Sequence, residues 1–107
     1  MADKYDKAMA YLLAAETDED FTERVWDAWR APYDTDGGAL FQHAGTGPDC
    51  GCLTSVRRGS FDAETPELTA AIRADERIPK YCADITRDNL PVFAEWQRRI
   101  DRELGRS

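Results

Sequence analysis

The sequence is poor in the residues that carry most metal and redox chemistry, with one histidine and three cysteines among 107 residues. An odd number of cysteines cannot close a complete set of disulfides, which argues against a disulfide-based fold. No run of about 18 apolar residues occurs, so no membrane-spanning helix is predicted. The N-terminal stretch is too charged to resemble a secretory signal. We therefore expect a cytoplasmic protein with reduced thiols.

Basic residues are also in deficit. Fourteen Lys and Arg oppose 21 Asp and Glu, which gives a net charge of −7. Ten of the acids but only four of the bases fall in residues 1–40. This balance argues against direct binding of nucleic acid. It is compatible with a basic protein partner, and equally with acidic side chains that only keep the protein soluble.

Recognisable catalytic motifs are missing as well. The chain has no His-Glu-x-x-His, no Gly-x-Ser-x-Gly, no P-loop and no dinucleotide fingerprint. Zinc deaminases require His-x-Glu and Pro-Cys-x-x-Cys, whereas here His43 precedes Ala44 and Gly45, and the cysteine pair is Cys-Gly-Cys. These absences favour a protein that is not an enzyme.

What the sequence does contain is helical periodicity. Apolar residues recur at steps of three and four in four segments, which predicts about four helices. They cover residues 3–16, 18–30, 66–78 and 89–104. Thr17 and Thr65 are placed to cap the second and third of these helices, and Pro91 lies in the first turn of the fourth. The length of the chain favours one domain, residues 1–107.

Between the second and third predicted helices the sequence changes character. Residues 39–43 and 52–57 are short, and the second run contains β-branched residues, so they predict a β-hairpin across a glycine-rich loop. Arg57, Arg58 and Gly59 would close it. The expected fold is mainly α with this short central hairpin or loop, and a small α+β domain is the alternative.

The central segment HAGTGPDCGC contains the only histidine and two of the three cysteines. Together with the third cysteine they supply the ligand number and types of a structural Zn²⁺ site: His43, Cys50, Cys52 and Cys82. The Cys-x-Cys spacing is less diagnostic than the usual Cys-x2-Cys. Two other interpretations stay open. The thiols could be ordinary buried side chains, or Cys50 or Cys52 could act as a nucleophile with His43 as its base.

The second predicted helix indicates where a partner would bind. It carries two tryptophans on or beside its apolar face, among acidic side chains. Tryptophan is enriched at the anchors of protein interfaces, and filling of the core is its alternative role. The candidate partner-binding residues are Trp26, Trp29, Asp20, Glu23 and Asp27.

These observations predict a small acidic interaction or regulatory domain with a structural zinc ion and another protein, a basic one in the simplest case, as its partner. One alternative is an inhibitor, encoded by a phage or mobile element, that imitates the charge of DNA. Another is a thiol-based redox enzyme that uses Cys50 and Cys52. A homodimer formed through the tryptophan-bearing helix is a further arrangement that the sequence allows.

Overall fold

The structure, a computed structural model, describes residues 3–42, 53–60 and 62–105. Helical segments account for 63% of these residues, and none of them forms a β-strand. The described ranges contain five α-helices: α1 (Lys4–Leu13), α2 (Asp18–Arg30), α3 (Leu53–Arg57), α4 (Pro66–Ala74) and α5 (Leu90–Glu103). Two short 3₁₀ turns lie at Gly38–Phe41 and Cys82–Asp84. The prediction of a mainly α fold is confirmed.

The helices begin where the sequence provides caps. The hydroxyl of Thr17 accepts a hydrogen bond from the backbone N–H of Asp20 at 3.0 Å. In α4 the hydroxyl of Thr65 accepts one from Leu68 at 3.1 Å. Each cap satisfies an N–H group of the first turn that has no partner within its own helix. Both predicted caps are therefore confirmed.

Predicted and observed helix ends agree for α2 and α5 but not for α1, which ends at Leu13 rather than at residue 16, or for α4. Gly105 follows α5 with a φ of 71°, a conformation that suits glycine because it has no Cβ. The predicted third helix extended to Ile78, whereas α4 ends at Ala74. The next residue, Asp75, has an extended backbone, and its carboxylate binds Arg77 and Trp96. This side-chain site competes with continuation of the helix.

α5 is the central helix of the core. Val92, Phe93 and Ala94 are consecutive and all buried, as are Trp96 and Gln97, so protein surrounds this helix on most sides. Buried apolar side chains from all the other elements join it in one cluster. Burial of this apolar surface is the main contribution to the stability of the fold.

The expected β-hairpin is wrong for the residues that the structure describes. Residues 39–41 lie in the first 3₁₀ turn, and residues 53–57 form α3. His43 and Cys52, which complete the two expected strands, lie outside the described residues. The side chains from position 53 to position 56 are all buried. A half-buried strand would instead alternate between buried and exposed side chains.

Glycine at position 59 marks the end of α3. Its φ is 86°, and its N–H donates to the carbonyl of Val56 at 3.1 Å. The N–H of Ser60 donates to the carbonyl of Ser55 at 2.9 Å. This pair of bonds is the Schellman motif that ends many helices. Gly59, which we expected to close a hairpin, is therefore a helix-termination signal.

The described part of the loop after α2, residues 31–42, packs tightly against both α1 and α2. A Cβ on Gly38 would lie 2.0 Å from the carbonyl oxygen of Pro32, and one on Gly37 would lie 3.1 Å from the side chain of Leu12. The buried amide of Gln97 donates to the carbonyl oxygen of Gln42 at 3.2 Å. These contacts fix the loop to the helices and make it a rigid part of the fold.

Arg87 fixes the joint between α1 and α2 from far along the chain. Its guanidinium donates to the carbonyl oxygens of Ala15, Leu13 and Thr17 at 2.8, 3.4 and 3.4 Å, and it lies over the ring of Phe21. The carbonyls of Leu13 and Ala15 lie at and after the end of α1, where a helix provides no further donors. Arg87 supplies donors for both, whereas the carbonyl of Thr17 also accepts the N–H of Phe21 in the first turn of α2.

Candidate functional site

The strongest charge imbalance of the molecule lies around α2. Residues 16–36 contain eight acids and two bases. Both bases are arginines that pair with acids of the same helix, Arg24 with Asp20 at 3.4 Å and Arg30 with Asp27. These pairs leave most of the acidic charge uncompensated.

Five acids of this segment are exposed and have no ion-pair partner among the described residues. They are Glu16, Glu19, Glu23, Asp34 and Asp36. Another, Asp18, lies 3.8 Å from the guanidinium of Arg87. Repulsion between such charges opposes folding rather than stabilising it. Packing of the fold therefore does not account for these side chains.

The structure places the two tryptophans of α2 in different environments. Trp29 packs against the core, and its indole N–H is buried with no hydrogen-bond partner in the described part of the chain. Trp26 is half-buried at the margin of the apolar face, and its ring meets that of Trp29 edge to face, with centroids 5.0 Å apart. Edge-to-face packing holds the Trp26 ring in one orientation.

The sequence predicted five partner-binding residues, and the structure places them in three different environments. Trp26 and Glu23 lie on an open part of the α2 surface. Asp20 and Asp27 are engaged by arginines, and Trp29 supports Trp26 from the core side. Glu19, one turn before Glu23 on the same helix face, was not among the candidates, although its four-residue spacing from Glu23 indicates it.

Of the four candidate zinc ligands, the structure describes only Cys82; His43, Cys50 and Cys52 lie outside the described residues. Cys82 is buried, and its Sγ lies 3.3 Å from the hydroxyl oxygen of Thr54. Within residues 3–42, 53–60 and 62–105 there is no group of three or more His, Cys, Asp or Glu side chains arranged to hold a metal. The predicted ligand set is not tested by these residues.

A polar site that sequence reasoning missed surrounds Asp75. Its carboxylate accepts hydrogen bonds from the indole N–H of Trp96 at 2.7 Å and from Arg77 at 2.7 and 3.0 Å. The hydrogen bonds from Arg77, together with that from Trp96, hold the pKa of Asp75 well below its usual range. The site joins the end of α4 to the middle of α5, so its role is structural.

A cleft of about 720 Å³ opens between α1 and the loop that follows α2. Lys4, Lys7 and Tyr11 line it from α1, and Tyr33 and Asp36 line it from the loop. Sequence analysis did not identify this cleft, because its walls come from segments more than twenty residues apart. The only local sequence signal is the turn-rich stretch from residue 31 to residue 38, which does not indicate a cleft.

Comparisons of the chain with known protein families, with curated proteins and with solved structures gave no match. No helix in the described ranges has the length and apolar content needed to cross a bilayer. Function must therefore be argued from the surfaces themselves.

Proposed function

We propose that this protein is a protein-binding module whose α2 surface docks on a basic partner. The observation that carries the proposal is the pair of exposed, unpaired acids Glu19 and Glu23, whose spacing on α2 puts them on the same helix face as the half-buried Trp26. The α2 surface is defined here as Glu19, Glu23 and Trp26, with Asp27 at its margin.

Charge complementarity identifies the kind of partner. A surface that keeps several uncompensated carboxylates steers lysine- or arginine-rich proteins towards it and raises their association rate. Trp26 offers what carboxylates lack, a large aromatic surface that an interface can bury. Its ring face is also suited to an arginine or lysine side chain through a cation–π contact.

Two variants test the α2 surface directly. We expect the double variant Glu19→Gln, Glu23→Gln to weaken binding of an arginine-rich peptide by about 5- to 10-fold at low salt, because two attractive charges are lost. The matched control is Glu67→Gln, Glu76→Gln, which removes two exposed acids near α4. Fluorescence titration at several salt concentrations measures both. A binding affinity that does not change with salt concentration would contradict the proposal, and so would equal weakening by the control pair.

A pull-down from native cells with the wild type and the double variant then sharpens the result. The informative proteins are those that the wild type recovers and the variant does not. Competition by DNA for such a partner would favour the version of the proposal in which the acidic surface imitates nucleic acid.

The proposal includes a structural zinc ion bound by His43, Cys50, Cys52 and Cys82. Its support is the ligand set in the sequence and the buried position of Cys82 against Thr54, which is two residues after Cys52 in the sequence. Bound zinc would cross-link the central segment to the connector before α5, and binding would be coupled to folding.

Elemental analysis of protein purified without added metal tests the zinc site, and about one zinc ion per chain is expected. Cys52→Ser should then lower the thermal midpoint markedly. Protein without zinc, whose three thiols react freely in the native state, would exclude the site. In that case, activity in a disulfide-reduction assay would favour the thiol enzyme instead.

A further inference from the structure

The cleft between α1 and the loop after α2 is built from rigid elements. The loop wall is held by the close approach of Gly38 to Pro32 and by the hydrogen bond from Gln97 to the carbonyl of Gln42. On the helix wall, Arg24 donates to the carbonyl of Tyr11 at 2.7 Å and lies over its ring. The cleft therefore exists before any ligand binds, as small-molecule sites usually do.

The cationic side chains of this cleft form no ion pair among the described residues. In that part of the chain every ion pair takes its cation from an arginine. Lys4 and Lys7, two of the three lysines in the sequence, line the cleft from α1 and have no carboxylate partner there. The ammonium of Lys4 lies 5.1 Å from the centroid of the Tyr5 ring, and this contact leaves its charge without a counter-ion.

The remaining lining groups add an aromatic surface and a second polar end. Tyr11 stands in the helix wall, and Tyr33, which is 73% exposed, extends from the loop. Asp36 adds a negative charge from the loop. The lining thus combines two lysines from α1, a tyrosine from each wall and one carboxylate from the loop.

We infer that this cleft binds a small aromatic anion that carries a hydrogen-bond donor at the far end of its ring. The anionic group would pair with Lys4 and Lys7, the ring would pack on Tyr11 and Tyr33, and the donor would reach Asp36. The volume of about 720 Å³ is within the range of small-molecule sites. This function is separate from the α2 surface and does not depend on it.

The test uses 4-aminobenzoate as the probe and follows backbone NMR resonances of the full chain. A probe of this size should bind with a Kd of about 1 mM. We expect shifts in residues of α1 and of the loop from 32 to 42. Aniline, which lacks the anion, and acetate, which lacks the ring, should each bind at least about 5-fold more weakly.

Variants locate the anion. Lys4→Gln, Lys7→Gln should weaken 4-aminobenzoate about 10-fold, because both ion pairs are lost. Lys80→Gln is the matched control; Lys80 is exposed and does not line the cleft, so the Kd should stay unchanged. The circular dichroism melting curve of each variant shows that it is folded.

Three results would overturn the inference. The first is no binding of 4-aminobenzoate up to about 20 mM, well beyond the expected Kd. The second is equal weakening by Lys80→Gln, which would mean that overall charge alone attracts the probe. The third is binding of acetate as tight as that of 4-aminobenzoate, which would leave the tyrosines without a role.

Discussion

Acidic side chains behave differently at the α1–α5 interface and on α2. Arg98 of α5 donates to the carboxylates of Asp3 and Asp6 at 2.8 Å, so α1 and α5 are joined by charge. The hydrogen bond from Arg98 holds the pKa of Asp3 well below its usual range. Glu19 and Glu23 on α2 have no such partner in the described ranges.

The difference shows which charges the fold uses and which it leaves available. The acids of α1, like Asp75 after α4, hold elements together across long sequence separations. Glu19 and Glu23 of α2 form no ion pair in the described part of the molecule, so their removal should affect binding more than stability. Measurements of unfolding free energy test this distinction.

The largest effect on stability is expected from Asp75→Ala. The side chain of Asp75 accepts the hydrogen bond from the indole N–H of Trp96, a residue that is only 5% exposed. The change removes this acceptor and leaves the buried N–H without a partner. We expect a loss of about 2 kcal/mol in the free energy of unfolding. Urea denaturation measures it. Asp75→Asn, which keeps an acceptor oxygen but no charge, should lose less; equal losses would show that the charge, not the hydrogen bond, matters.

Acid should weaken the same site. Because the pKa of Asp75 in the folded state is below its usual value of 3.8, the ionised carboxylate stabilises the fold above that pH. This contribution is lost as the pH falls below about 4 towards the folded pKa. The difference in unfolding free energy between wild type and Asp75→Asn should therefore shrink as the pH falls from about 5 to about 2. A difference that stays constant would contradict this assignment.

The smallest effect is expected from Glu19→Gln, Glu23→Gln. Removal of two unpaired surface charges should change the free energy of unfolding by no more than about 0.5 kcal/mol. Relief of repulsion among the α2 acids opposes the loss of the favourable position of Glu19 in the first turn of the helix, so the net change is small. Thermal melting at low and high salt measures the change. A loss above about 1 kcal/mol would mean that these acids belong to the fold after all.

The sequence was a good guide wherever the signal was local. Thr17 and Thr65 act through N–H groups two or three residues away, so their caps could be read directly. The helical periodicity of α5 was equally visible because its buried positions recur at regular steps. These features needed no knowledge of distant residues.

Features that depend on distant contacts could not be read in the same way. Thr54 and Val56 favour a strand by composition, but the tertiary environment buries this whole segment and it forms α3. Gly59 was the one local signal that favoured a helix end. The spacing of apolar residues placed Trp29 on the inner face of α2 and Trp26 beside it, and Trp29 does pack against the core.

The position of Arg87 has a consequence for synthesis on the ribosome. The carbonyls at the end of α1 accept hydrogen bonds from a residue 70 to 74 positions later. A nascent chain that has released only α1 and α2 therefore cannot complete their joint, and the apolar faces of these helices also await α5. We expect the two N-terminal helices to stay unfolded until Arg87 and α5 have left the ribosome.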